Sequence, residues 1–221
     1  MYNMGNFFGV LTQPTAAFER LRGKGGWVLT LILLMVLSVF ALWLQNDAIM
    51  GTIEQEFNKQ AEQGQPIPDE IKDVALASGK FITYFSGTLG VIVTMFLGGL
   101  LLLLVNLFVR GEATYMQLSK VALYSYIPSV IGIVLTGIIA YATGATSLYD
   151  VSLSAGAFVS DKSSMAFVIA QIINPFSLWS LALMIIGTAV MTRKSRGSVA
   201  LWIVIGWTIV TFLTLIGSKA A

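Results

Sequence analysis

Two amides and two prolines stand inside sequence that is largely apolar: Gln171 and Asn174 with Pro175, and Pro128 in an earlier stretch. Proline has no N–H to give to the carbonyl four residues before it. Within continuous helices, Pro128 and Pro175 would therefore leave the carbonyls of Tyr124 and Gln171 without their usual donors. Gln171 and Asn174 are three apart and would share a helix face. Amides beside a freed carbonyl can bond to a neighbouring helix, or to an uncharged solute within a bilayer. Both readings are open at the level of sequence.

Other chemistry is scarce. The chain has no His and no Cys, so thiolates, disulfides and the usual zinc, iron and copper ligands are missing. The commonest general base goes with them. No serine has a nucleophile-elbow context, and no glycine-rich phosphate loop occurs. Carboxylates such as Glu112 and Asp150 are not clustered for a hard cation. We expect no catalytic residue, no cofactor, no metal and no enzyme. Buried carboxylates, which usually couple protons or sodium, are also lacking.

The elements that hold these residues are apolar and long. Five stretches without Asp, Glu, Lys or Arg cover 27–44, 81–109, 121–142, 165–191 and 199–216. Only 11% of the chain is charged, against about 25% for soluble domains. A bilayer core about 30 Å thick needs about 20 helical residues. We therefore expect an all-α, polytopic bundle of five transmembrane helices with short interfacial helices. Arg20, Arg22 and Lys24 precede the first stretch, Arg110 and Lys120 the third, and Arg193, Lys194 and Arg196 the fifth. Acidic residues dominate the alternate loops, so the positive-inside rule predicts N-in, C-out. The basic residues before the first and fifth stretches are expected at lipid headgroups.

Smaller elements follow from spacing. Residues 1–26 form an interfacial segment, with a helix over 14–22 whose apolar side should lie in the headgroup boundary. Residues 27–221 form the membrane domain. Its loop 45–80 should be a hairpin of two surface helices: Ile49, Ile53 and Phe57 form one row, Gly64 ends the first helix, and Pro68 begins the second after a turn over 65–68. Thr52 and Gln55 have the spacing of a capping box. Small residues at Gly90, Thr94 and Gly98, and at Gly132 and Thr136, recur every four positions. Such rows let helix backbones approach closely in lipid, though they would equally suit a solute path.

Three segments carry a resemblance: LTQPTAAFERLR, RGEATYMQLSKVALYSYIPSVIG and NPFSLWSLALMIIGTAVMTRKSRGSVALWIVIGW. Together they resemble bacterial members of the Yip1 family. The resemblance implies five membrane helices with a cytoplasmic N-terminus and offers no catalytic residues to transfer. Its eukaryotic members are linked to vesicle traffic and small GTPases, and have a cytoplasmic N-terminal region longer than the 26 residues preceding the first stretch here. The combined expectation is a multi-pass protein of the cytoplasmic membrane, acting as an accessory or scaffold subunit. Its partners would be membrane lipids and other integral membrane proteins, such as an export complex, with homo-oligomers allowed and nucleic acid excluded. A transporter or channel for a neutral or lipid-like solute, and a lipid or membrane-shape organiser, are the alternatives.

Overall fold

The computed structural model describes residues 2–23, 26–64, 67–161 and 164–220. Among them there is no strand. Ten α-helices follow in order: α1 (Tyr2–Thr12), α2 (Pro14–Arg22), α3 (Val28–Leu44), α4 (Asn46–Glu62), α5 (Asp69–Phe108), α6 (Tyr115–Ser125), α7 (Ile127–Thr143), α8 (Met165–Ile172), α9 (Pro175–Thr192) and α10 (Arg196–Ala220). A 3-10 turn, Ala155–Phe158, lies between α7 and α8.

The middle of the molecule is α6. Every residue from Leu118 to Ser125 is buried, and α2, α3, α5, α7 and α9 pack around it. The Tyr124 hydroxyl donates to the Gly26 carbonyl at 3.0 Å and accepts from Thr30 at 3.0 Å, which ties α6 to the start of α3. The outer surfaces are the reverse of a soluble protein. Leu97, Leu101 and Leu104 of α5 are exposed, as are Ile32 and Val36 of α3. In water so much continuous apolar surface would associate; in hydrocarbon it is the ordinary outer face of a bundle.

Among the described residues, three units are long and apolar enough to cross a bilayer: α5, α6 joined to α7, and α9. A fourth is counted if α3 and α4, bent by 60° at Gln45, form one broken span. In α10, the described residues Arg196–Phe212 form a shorter apolar helix. The bend at Gln45 is pinned because its side-chain amide donates to the carbonyls of Ala41 (3.1 Å) and Ile133 (3.2 Å).

Several expectations need correcting. The loop 45–80 is not a separate hairpin of two surface helices. α4 does end just before Gly64, whose φ of +80° suits glycine. The helix that begins at Asp69, however, runs unbroken into the apolar stretch and reaches 40 residues, about 60 Å at 1.5 Å per residue. No proline interrupts it, and Gly79 alone is too weak a breaker. Of the turn predicted over 65–68, Gln65 and Pro66 lie outside the described residues. Nor does Thr52 cap a helix. It stands inside α4, donates to the Ala48 carbonyl at 2.7 Å and accepts from the Leu148 N–H at 2.9 Å.

The stretch 165–191 is two helices rather than one, interrupted at Ile173 and Asn174. Likewise Pro128 lies in the first turn of α7, where a missing N–H costs nothing. α2 has its expected bounds, but its apolar side is not immersed in headgroups. Ala17, Phe18 and Leu21 are fully buried. The Phe18 ring lies against Gly187 of α9, where an added Cβ would come within 2.8 Å of it. α1, which packs on α2, has no counterpart among the expectations.

Candidate functional site

Asn174 is the N-cap of α9. Its Oδ1 accepts from the Phe176 N–H at 2.9 Å, and Pro175 follows in the first helical turn. Because the helix breaks there, Gln171 and Asn174 do not share a helix face. Gln171 is exposed at the end of α8, and its Oε1 is 3.5 Å from the Ser154 hydroxyl. Pro128 is buried on α7. Among the described residues no hydrogen bond joins Gln171 to Asn174. The polar link between α7 and α9 is made by serines instead: Ser129 and Ser180 hydroxyls are 2.8 Å apart, and the Ser129 N–H donates to Ser180 Oγ at 3.2 Å. An N–H in a first helical turn lacks an intrahelical partner, and Ser180 supplies one. Sequence reasoning passed over Ser180, although a serine five residues after Pro175 in an uncharged stretch was a visible signal.

The small residues divide by surroundings. A Cβ on Gly98 would come within 2.9 Å of Ala122, and one on its neighbour Gly99 would meet Ser119, so both close the α5–α6 seam. Gly132 receives the Phe176 ring, where a Cβ would be 2.8 Å away. Thr136 bonds back to the Gly132 carbonyl at 3.0 Å. Gly90 has open space around it, while Thr94 faces a cavity between α5, α9 and α10.

The basic residues meet the protein as well as its surroundings. Arg20 donates to Asn6 Oδ1 at 3.1 Å, Arg196 to Thr15 at 2.8 Å, and Arg193 lies 3.3 Å from Glu112. These contacts gather α1, α2 and the loops after α5 and α9 at one end of the bundle. The exposed Arg193–Glu112 pair adds little stability. Arg22 is half-buried and Lys194 is exposed; Lys24 lies outside the described residues. Lys120 is not a loop cation at all. Only 6% exposed, it donates to the carbonyls of Leu21 (2.8 Å) and Gly23 (2.9 Å). Gln117 donates to the Arg22 carbonyl at 3.0 Å. Together they satisfy the carbonyl end of α2 and complement its dipole. Asn106 clasps Ala113, accepting from its N–H at 3.2 Å, and so closes the turn between α5 and α6.

Two larger features remain. At the end opposite the basic loops, α4 and the first turns of α5 form an arm. Ile53 of α4 packs near Gly79 of α5, and Tyr149 donates to Glu56 at 3.3 Å. Ile71 and Val74 stay exposed on it, Val74 by 68%, beside Asp69, Lys72 and Asp73. Between α5, α6–α7, α9 and α10 lies a cavity of about 690 Å³. Its walls include Leu101, Met184, Ile203 and Trp207, and no charged residue among those described lines it. Phe108 and Trp202 stack at 4.4 Å beside it.

The Yip1 domain matches residues 8–218 of the chain. Membrane protein YknW of Bacillus subtilis (strain 168) is 30% identical over 190 residues, which is 82% of this chain and 76% of that protein. No solved structure matches. With its apolar helices and outward apolar faces, the chain belongs to the Yip1 family and is a multi-pass membrane protein.

Proposed function

We propose that the protein is a non-enzymatic accessory or scaffold subunit of the cytoplasmic membrane, associating laterally with other integral membrane proteins. In this reading it has five spans, α3, α5, α6–α7, α9 and α10, with its N-terminus inside. The observation that supports it best is the unpartnered surface of α5. Its membrane part leaves Gly90 open, and its water-side extension exposes Ile71 and Val74 among charges. Apolar side chains in water gain from being covered, and a small residue in lipid invites close helix approach. A membrane protein with a matching projection, such as a subunit of an export complex, would cover both along one helix.

The test is purification from native membranes in nanodiscs, with mass spectrometry of what is retained. A stoichiometric membrane-protein partner is expected, lost in Gly90→Leu and in Val74→Glu while both variants still insert. Recovery of the protein alone, or association unchanged in both variants, would count against this reading. The alternative of a transporter gains no support from Gln171 and Asn174, which take separate structural roles.

A further inference from the structure

The strongest unassigned feature is the cavity between α5, α9 and α10. We propose that it binds an uncharged amphiphile from the bilayer: an apolar chain bearing one alcohol or carbonyl group, held with that group against a cluster of hydroxyls.

Size selects the kind of occupant. The cavity holds about 690 Å³, inside the range of about 300–1,000 Å³ typical of small-molecule sites. A membrane helix of about 10 Å diameter and 30 Å length displaces roughly 2,400 Å³, so neither a partner's helix nor one from a second copy fits. An alkyl chain does. Leu101, Leu104, Ile205 and Ile209 line the cavity and are also exposed, so it opens outward. At this level of the bundle, outward is lipid.

Chemistry narrows the choice. No described lining residue is charged, so an ionised headgroup would enter without a counter-charge, which low-dielectric surroundings penalise. Thr94, Ser125, Ser129, Ser177 and Ser180 are the hydroxyls, with Tyr126 beside them. Each can donate and accept. The Ser129–Ser180 pair uses one O–H between its two oxygens, leaving a second to give. Ser125 Oγ is buried and has no hydrogen-bond partner among the described residues. A bound alcohol or carbonyl would give these groups the partner that alkyl neighbours cannot. The hydroxyls also share a depth. Ser129 is the fifteenth residue of the 29-residue α6–α7 unit, and Thr94 is fourteen residues from the end of α5. The polar group would therefore be held well inside the membrane, where a lipid's own headgroup does not reach.

This inference does not rest on the accessory reading. Its test uses the full chain in nanodiscs of phosphatidylethanolamine and phosphatidylglycerol, with a diazirine-bearing hexadecanol as photoprobe. Labelled peptides are expected on α9, α10 and the second half of α5, with little on the outward face of α3. Excess hexadecanol should suppress the labelling, and hexadecane or hexadecanoate should not. Gly206 lines the cavity and has free space about it, so Gly206→Trp should fill the cavity and abolish the labelling. Ser125→Ala removes an unpaired hydroxyl, keeps the fold, and should weaken competition by hexadecanol about three- to ten-fold. Uniform labelling of α3 and α10, displacement by hexadecane as well as by hexadecanol, or protection only by cross-links between copies would each overturn the proposal.

Discussion

A lysine with almost no exposed surface organises the basic end of the bundle. The Lys120 ammonium reaches two carbonyls at the end of α2, 99 and 97 residues away in sequence. Replacing it by Met keeps the length and loses both charge-assisted bonds, leaving carbonyls unsatisfied. Hydrogen bonds to charged groups contribute about 1.5–3 kcal/mol, so Lys120→Met should lower stability by about 2 kcal/mol and loosen α2. Trypsin cleavage after Arg20 and Arg22 reports this directly and should quicken in the variant; unchanged cleavage would show that α2 is held by Phe18 and Leu21 alone. The sequence placed Lys120 among loop cations because nothing local distinguishes a lysine in water from one near the start of a helix. Its partner is set by tertiary packing. Gly98 teaches the same lesson from the other side. Its spacing left a helix seam and a solute path open, and its actual neighbour is Ala122 of the same chain. A bulky residue there would test the fold before it tested association.

At the scale of elements, helix starts decide what the membrane stretches become. Asn174 followed by Pro175 is a cap and a first-turn proline, a combination that begins helices. Continuous apolarity across 165–191 masks it in the sequence, since one membrane helix and two successive helices have the same composition. Asn174→Ala should cost about 1 kcal/mol, the usual loss for a cap, while Asn174→Asp retains most of it. Thermal unfolding in detergent compares the two; equal loss in both would mean that Asn174 contributes by something other than its cap bond. α2 was legible to the residue because Pro14 and the Ala17, Phe18, Leu21 pattern mark both its start and its face. What that face touches was not legible, since headgroups and the inside of a bundle welcome the same side chains. The length of α5 was missed for the opposite reason. Charged residues from Asp69 to Lys80 suggested a boundary, but charges end a membrane crossing without ending a helix.

Over the whole molecule, the charge asymmetry and the contacts now point along one axis. Arg20, Arg193 and Arg196 meet Asn6, Glu112 and Thr15 at one end, and Glu56, Lys59 and Tyr149 meet at the other. Five crossings with the basic end inside require loops to alternate strictly. The chain contains no cysteine, so single cysteines report sidedness without a background. Gln60 on α4, Ser160 before α8 and Ser198 at the start of α10 are all exposed. In intact cells a membrane-impermeant maleimide should label Gln60→Cys and Ser160→Cys, and should reach Ser198→Cys only after permeabilisation. A cysteine added after Ala221 should label from outside if α10 crosses. The pairs of sites divide the crossings between them. Gln60 and Ser160 on the same side require an even number of crossings between them, which α5 and α6–α7 supply. Ser160 and Ser198 on opposite sides require α9 alone to cross, and its 18 residues span about 27 Å, close to the hydrocarbon thickness. Labelling of Ser160 and Ser198 from the same side would instead make α8 and α9 a re-entrant pair. The cavity would then open to an aqueous edge as well as to lipid, and the N-in, C-out arrangement would fall with it.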